Sequence, residues 1–186
     1  MHNSEDEAIL TVPVGNRDHI QGSPDAPITL VEYGDYECSD CSHAHRMLQE
    51  LKRRIGDRMR FVFRHFPLRQ QHPHAQKAAE FAEAAGAEGK FWAAHDYLFE
   101  HQQKLPSPDF WRNAAETLGL DAAAVLNALE NKTYEAHIRE DFTSGMRSGV
   151  NGTPTYYING VRHEDPNADD TAETLIVVMN TIAARP

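Results

Sequence analysis

The sequence predicts an α/β protein whose mixed central sheet is flanked by helices and interrupted by an inserted helical block. A β-branched, nearly continuous apolar run at residues 28–33 and an alternating run at residues 60–66 enclose a stretch, residues 38–55, that has helical periodicity. About eighty residues with helical patterns follow, and a hairpin signal and a final helix come after them. A strand–helix–strand unit of this kind typically starts an open sheet with helices on its faces.

The composition is that of an ordinary globular protein. The 186 residues are 40% hydrophobic and 25% charged, and 18 Lys and Arg against 28 Asp and Glu give a formal net charge of −10. This acidity disfavours binding to nucleic acid or to anionic lipid. No apolar run has the length of a membrane-spanning helix, and the acidic first residues are unlike a signal peptide. We therefore expect a cytoplasmic protein, unless an export signal has been cut off.

The N-terminal elements are predicted from short local patterns. Residues 9–12 have the pattern of a short edge strand, and residues 15–27 are rich in loop-forming types. Residues 28–33 form a nearly continuous apolar run, which is typical of a strand covered on both faces. Glu32 is the one acidic residue in that run, and its burial is therefore an open question.

A helix and a second strand follow this first strand. Over residues 38–55 an apolar stripe recurs at helical spacing, and Gly56 ends the pattern. The stripe consists of Met47, Leu48, Leu51 and Ile55. Residues 60–66 then alternate apolar and polar side chains, as a strand does.

The helical block is predicted over residues 72–149 as four helices. Ser107 precedes Pro108, which indicates an N-cap followed by proline at the first helical position. Asp121 is a candidate cap for the next helix, with Leu120 and Val125 placed to pack as a hydrophobic staple. Such a block is too long for a simple crossover, so we interpret it as an insertion.

The chain closes with a hairpin and a helix. Asn159-Gly160 lies between short apolar runs and favours a tight hairpin turn, because both turn residues must tolerate positive φ. Residues 169–184 are predicted as the last helix. Its apolar face includes Leu175, Val178 and Met179.

Cys38 and Cys41 are the only cysteines, and their C-x-x-C spacing points to chemistry. Residues i and i+3 of a helix lie on one face, so the two sulfurs can form or open a disulfide. A cysteine at a helix N-terminus has a lowered pKa because the unpaired N–H groups stabilise its thiolate. We predict that Cys38 attacks and that Cys41, one turn further on, resolves the mixed disulfide.

Two other interpretations of the cysteines compete with redox chemistry. His43 and His45 follow so closely that a zinc site is conceivable, but on one helix these four groups do not converge on a tetrahedron. The cysteines could also be incidental to a module that holds a partner or a metal. Redox chemistry is favoured, and no metal is expected at the cysteines.

Two further positions are candidates for the site. Glu32, in the strand that leads to the cysteines, would lie beneath Cys41, where burial raises its pKa and allows proton exchange with that thiol. The alternative is an edge-strand carboxylate that faces water. Thr153-Pro154 directly precedes a strand, which fits a rigid turn with a cis bond as one option.

With these elements in this order, the chain from residue 28 onwards resembles the DsbA-like family of thioredoxin-fold proteins. Four segments carry the resemblance: residues 31–41 (VEYGDYECSDC), 64–68 (RHFPL), 72–75 (HPHA) and 150–160 (VNGTPTYYING). The resemblance implies a thioredoxin-like domain formed by residues 28–69 and 149–186. It also implies an inserted helical domain at residues 70–148, behind an N-terminal segment, residues 1–27.

The resemblance also assigns roles. It implies that Cys38 is the nucleophile, that Glu32 is the buried acid and that Pro154 is the cis-proline packed against the sulfurs. Thr153 would offer backbone hydrogen bonds to an extended substrate strand. The activity implied is thiol–disulfide exchange on protein or small thiols, with a partner reductase or oxidase. It needs no cofactor beyond the Cys38–Cys41 disulfide, and it involves neither nucleic acid nor a membrane.

The spacer between the cysteines departs from strongly oxidising relatives, which carry a histidine there. Ser39 and Asp40 occupy this position, and the charge of Asp40 disfavours the thiolate. Pairs of this kind span pKa values from about 3.5 in strong oxidants to about 7 in thioredoxin. We expect a milder oxidant, with a Cys38 pKa above about 4.5.

Whether His43 and His45 tune the site is open, although solvent-facing positions are favoured. We interpret the remaining motif histidines, His65, His72 and His74, as structural.

Overall fold

The fold was analysed in a computed structural model, in which residues 8–163 and 172–183 are described. The strands are β1 (His19–Gln21), β2 (Ile28–Gly34), β3 (Met59–His65), β4 (Thr155–Ile158) and β5 (Val161–His163). The helices are α1 (Ser39–Ile55), α2 (Ala75–Ala87), α3 (Phe91–Glu100), α4 (Phe110–Thr117), α5 (Ala122–Glu130), α6 (Glu135–Arg147) and α7 (Ala172–Ala183). Short 3₁₀ turns occupy Gly56–Arg58 and Gln102–Lys104.

The five strands form one mixed sheet in the order β1-β3-β2-β4-β5. β2 runs parallel to β3 and antiparallel to β4, while β1 and β5 add antiparallel edges. In the central register Val31 lies beside Val62 on one side and Tyr157 on the other. The predicted α/β class, thioredoxin-like with helices inserted between strands, is confirmed.

Both faces of the sheet are buried, and the alternating side chains of β2 contribute to a core on each face. Leu30 joins a large core with α1, α7 and the helices between β3 and β4. Val31 and Tyr33 join a second, smaller core on the other face with Val62 and Tyr157. The nearly continuous apolar pattern of this strand is thereby explained.

Five helices, rather than the predicted four, lie between β3 and β4, a stretch that the structure describes throughout. α4 begins at Phe110 with Asp109 as its N-cap, so the predicted N-cap Ser107 and first helical residue Pro108 both precede the helix. The Ser107 carbonyl accepts a hydrogen bond from Phe110 N in the turn before it. The predicted cap of α5 is present, since Asp121 Oδ1 accepts from Ala124 N at 3.0 Å. Both staple residues, Leu120 and Val125, are buried.

Two N-terminal predictions were wrong. Residues 9–12 form no strand, because only an isolated bridge joins Ile9 to Val161. The segment predicted as loop contains β1, which is too short to produce a recognisable pattern.

At the C-terminal end, the hairpin turn has positive φ at Asn159 and Gly160, as predicted. Residues 169–171 and 184 of the predicted last helix lie outside the described residues.

Candidate active site

Cys38 is the N-cap of α1, and its backbone is extended there. Its N–H donates to the Asp35 carbonyl at 3.2 Å, so the turn after β2 fixes where the helix begins. Cys41 lies in the first turn of α1 and has no exposed surface, whereas Cys38 is 7% exposed. An incoming sulfur therefore meets Cys38 first.

The two thiols are electrostatically unequal. The pKa of Cys38 is lowered to about 6, mainly by a hydrogen bond from Cys41. Thr153 and backbone N–H groups of the first helical turn lower it further, whereas burial opposes the shift. Burial raises the pKa of Cys41 well above its ordinary value, and the neighbouring Cys38 and Glu32 raise it further. The arrangement favours one thiolate, on the accessible sulfur.

The loop before β4 brings a distant segment to the cysteines. Cys38 Sγ donates a hydrogen bond of 3.4 Å to the Thr153 carbonyl, across 115 positions of sequence. The Thr153–Pro154 peptide bond is cis, and Thr155 Oγ1 donates to the Gly152 carbonyl at 2.8 Å, which closes the turn. Because β4 pairs antiparallel with β2, the start of β4 lies beside the end of β2. The loop before β4 is therefore at the end of the sheet where α1 begins.

Glu32 lies inside the protein, on β2, with 1% exposure. Burial raises its pKa to about 8, although the Lys52 ammonium opposes this shift. The water-facing alternative for Glu32 is therefore wrong. Lys52 reaches inward from α1, where burial lowers its pKa, and its Nζ donates to Gln21 Oε1 at 2.8 Å and lies 4.3 Å from the Phe61 ring centre.

Asp35 organises the approach to Cys38, and sequence reasoning did not find it. Its buried carboxylate accepts hydrogen bonds from Glu37 N at 2.7 Å and Leu68 N at 2.8 Å, and it pairs with His72 Nδ1 at 2.8 Å. Although partial burial lowers the pKa of His72, the hydrogen bond and charge of Asp35 outweigh it, and the Cys38 charge adds to the upward shift. His72, predicted to be structural, thus lies within electrostatic reach of the nucleophile.

The other histidines and the spacer have different surroundings. Ser39, Asp40 and His43 are exposed. His45, for which a solvent-facing position was favoured, is 7% exposed, and its Nε2 pairs with Asp96 Oδ1 at 2.8 Å. Two groups of potential metal ligands occur among the described residues, and both consist of histidine and carboxylate side chains.

A comparison with known proteins identifies the family. The profile of the family described as Thioredoxin matches residues 15–177. The chain belongs to this family. Among its curated relatives are Na⁺/H⁺ antiporters: NhaA 1 of Salinispora arenicola is 44% identical over 83% of the chain, and NhaA 3 of Salinispora tropica is 43% identical over 95%.

This thioredoxin-family chain spans only about a quarter of the length of those relatives, 24% and 27% respectively. None of the helices in the described ranges has the length and apolar character that a membrane crossing requires.

Solved structures match the fold over nearly the whole chain. Bacillus subtilis BdbD superposes with a TM-score of 0.82 at 21% identity, covering 97% of this chain and all of that one. Wolbachia pipientis α-DsbA1 gives 0.78 at 22% identity, with 94% of both chains covered. Pseudomonas aeruginosa DsbA2 gives 0.68 at 25% identity, covering 93% and 96%. The architecture is therefore DsbA-like.

Proposed function

We propose that this chain is an enzyme, a thiol–disulfide oxidoreductase that exchanges electrons with protein or small thiols through Cys38 and Cys41. The observation that carries the proposal is the inequality of the two sulfurs. Cys38 stands at the N-terminus of α1 with its pKa lowered to about 6, and the pKa of fully buried Cys41 is raised. A thiolate is the nucleophile in disulfide exchange, so the accessible sulfur is also the reactive one.

In the reducing direction, the Cys38 thiolate attacks a substrate disulfide. An S–S bond forms between Cys38 and one substrate sulfur, and the other substrate sulfur leaves as a thiolate. Cys41 then loses its proton and attacks Cys38 Sγ, which releases the second substrate thiolate and leaves the Cys38–Cys41 disulfide. Two electrons pass to the substrate, and the oxidising direction follows the same steps in reverse.

Glu32 supplies the proton acceptor that the second step needs. Its pKa of about 8 lies closer to the raised pKa of Cys41 than that of an ordinary carboxyl group. A negative charge on Glu32 disfavours a negative charge on Cys41. A proton that leaves Cys41 is therefore readily taken up by Glu32. Lys52 offsets part of the cost of the buried carboxylate.

Thr153 and Pro154 are proposed to position the substrate. The Thr153 carbonyl is directed at Cys38 Sγ, at 3.4 Å, immediately before β4 begins. An extended peptide laid beside residues 152–154 would pair with this backbone while its sulfur meets Cys38, as in β-strand addition. Exposed Ser39 and Asp40 would then face the substrate and tune the potential.

The test is insulin reduction and redox equilibration with glutathione. Cys38→Ser should abolish both activities, and Cys41→Ser should accumulate a mixed disulfide that mass spectrometry detects. A Cys38→Ser protein with full activity would contradict the proposal. An inactive parent that holds zinc through the cysteines, with the zinc lost in Cys38→Ser, would instead indicate a binding module.

The equilibrium constant gives the potential of the couple. A value near −270 mV would be thioredoxin-like, and one near −120 mV would indicate a strong oxidant, the two ends of a scale spanning roughly 150 mV. We propose a value between them, because the Cys38 pKa of about 6 lies between those of the two classes. A partner reductase or oxidase, and a cytoplasmic setting, remain part of the proposal.

A further inference from the structure

A cluster of three imidazoles surrounds one carboxylate oxygen, outside the cysteine site. Glu83 Oε1, on α2, lies 2.9 Å from His19 Nε2, 2.7 Å from His65 Nε2 and 3.6 Å from His137 Nε2. The contributing residues come from β1, β3, α2 and α6, so the cluster joins the sheet edge to the helices between β3 and β4. The proposed redox reaction uses none of them.

We propose that His19, Glu83 and His137 form a binding site for a divalent transition-metal ion, with Zn²⁺ as the best fit. Their three ligand atoms lie within 4.8 Å of one another. Imidazole nitrogens and a carboxylate oxygen are ligands that Zn²⁺ accepts, and three protein ligands leave a fourth position for water or substrate.

The spacing of the ligand atoms fits a metal ion, and no hydrogen bond to either carboxylate accounts for the position of His137. Bonds of about 2.0–2.1 Å in a tetrahedral zinc site place neighbouring ligand atoms about 3.3 Å apart. The separations of 2.9 and 3.6 Å from Glu83 Oε1 lie on either side of that value. His137 Nε2 is also 4.0 Å from Asp141 Oδ2, so it is too far from either carboxylate for a hydrogen bond.

The cluster also has the supports that a metal site requires. His65 is buried, and its Nε2 pairs with Glu83 Oε1, which holds the carboxylate in place. The His19 ring stacks on Phe91 at a centroid distance of 3.5 Å and an angle of 4°, so its direction is fixed.

Solvent access and charge are both compatible with a cation. The side chains of His19 and His137 are 25% and 26% exposed, which leaves a path from solvent. The Glu83 side chain is 8% exposed, and its Oε1 lies within hydrogen-bond distance of the imidazole nitrogens of His19 and His65. The Arg17 guanidinium is paired with Asp141 at 2.6 Å, which leaves the negative charge of Glu83 for the metal.

The experiment measures Zn²⁺ binding to the full chain by competition with a chromogenic chelator at neutral pH. A Cys38→Ser/Cys41→Ser background removes binding by thiolates. In that background we expect one equivalent of Zn²⁺, with affinity at least tenfold weaker after His19→Gln or His137→Gln. His43→Gln, which replaces an exposed histidine on α1, is the matched control and should bind as the background does.

Thermal unfolding gives a second readout. At a free Zn²⁺ concentration a hundredfold above Kd, the background protein should gain about 5–10 °C in Tm, and His137→Gln should gain much less. Absence of binding at micromolar Zn²⁺, or equal binding in all variants, would overturn the proposal. So would loss of binding only in His45→Gln, which would place the metal at the separate group formed by His45, His95 and Asp96.

Discussion

His72 Nδ1 and the Asp35 carboxylate are joined by a hydrogen bond of 2.8 Å next to the turn that leads to Cys38. The spacer between the cysteines contains no histidine, yet this pair brings an imidazole near the nucleophile, although His72 lies 37 residues from Asp35 in sequence. Because the Cys38 charge raises the pKa of His72, protonated His72 must in return stabilise the Cys38 thiolate. His72 thus favours the ionised form of Cys38.

Replacing His72 should make Cys38 less acidic. In His72→Asn the positive charge is lost, and we expect the pKa of Cys38 to rise by about 0.5–1 unit from its value near 6. Thiolate absorbance and the pH dependence of alkylation measure it. His43→Asn, on the exposed surface of α1, should leave the pKa unchanged. A Cys38 pKa equal in His72→Asn and the parent would show that His72 does not act on the sulfur.

Glu32 should make the reduced protein less stable as the pH rises. Burial raises its folded-state pKa from 4.5 to about 8, so between these values the folded state binds more protons than the unfolded state. The contribution of Glu32 to the free energy of unfolding is therefore fully present below pH 4.5 and is lost as the pH rises through about 8. Glu32→Gln should remove this loss and be more stable than the parent at pH 8.5, by several kcal/mol at most.

Urea unfolding of the reduced proteins at several pH values measures the effect of Glu32. Glu130→Gln, an exposed substitution on α5, controls for the change in net charge and should follow the parent. Parallel pH profiles for the parent and Glu32→Gln would contradict a raised pKa at Glu32.

The sequence predicted those elements whose signals are local. β2, α1, β3 and the hairpin each have their own periodicity or turn residues, so their bounds were found to within a few residues. β1 was missed because it has only three residues and depends on partners far along the chain. Gln21, for example, accepts a hydrogen bond from Lys52, and the strand itself pairs with β3.

The same distinction applies to the site. The cysteines and the Thr153-Pro154 loop are visible as motifs, and their proximity follows once the sheet order is known. The contact between Asp35 and His72 left no signal, because two residues that meet only through folding share no spacing rule. The buried position of His45 was missed for a similar reason, since its partner Asp96 lies on α3.

The buried ion pair between Arg64 and Asp18 should be a major source of stability for the N-terminal segment. Arg64 Nε donates to Asp18 Oδ1 at 2.8 Å with both side chains 1% exposed, and the same guanidinium binds the carbonyls of Val12 and Pro13. Asp18→Ala leaves a buried cation with one partner fewer. We expect a loss of about 3 kcal/mol in the free energy of unfolding, measured by urea denaturation.

The surface pair of Arg53 and Glu50 on α1 provides the control for this loss. Its side chains are 75% and 40% exposed, so Glu50→Ala should cost less than about 0.5 kcal/mol. Equal losses in Asp18→Ala and Glu50→Ala would mean that the Arg64 guanidinium is satisfied without Asp18.

Gly145 allows α6 to approach the sheet, so alanine should be harmful there although alanine favours helices. A Cβ at this position would lie 2.8 Å from Phe66 Cδ2 and 3.0 Å from Tyr33 Cδ1. Both rings are buried, and Phe66 is stacked on Phe142, so neither can move freely. Overpacking of about 1–3 kcal/mol should outweigh the gain in helix propensity of about 1 kcal/mol.

Gly86→Ala on α2 is the matched comparison for Gly145→Ala. Its Cβ would meet His19 Cε1 at 3.1 Å and other atoms at 3.5 Å or more, so it has one close contact where the Cβ at Gly145 has three at 3.0 Å or less. We expect thermal and urea unfolding to show a clear loss for Gly145→Ala and little change for Gly86→Ala. Because the helix-propensity gain is the same in both, the difference between them isolates the close packing of α6. If Gly145→Ala proved as stable as Gly86→Ala, α6 would have to lie further from Phe66 than the structure places it.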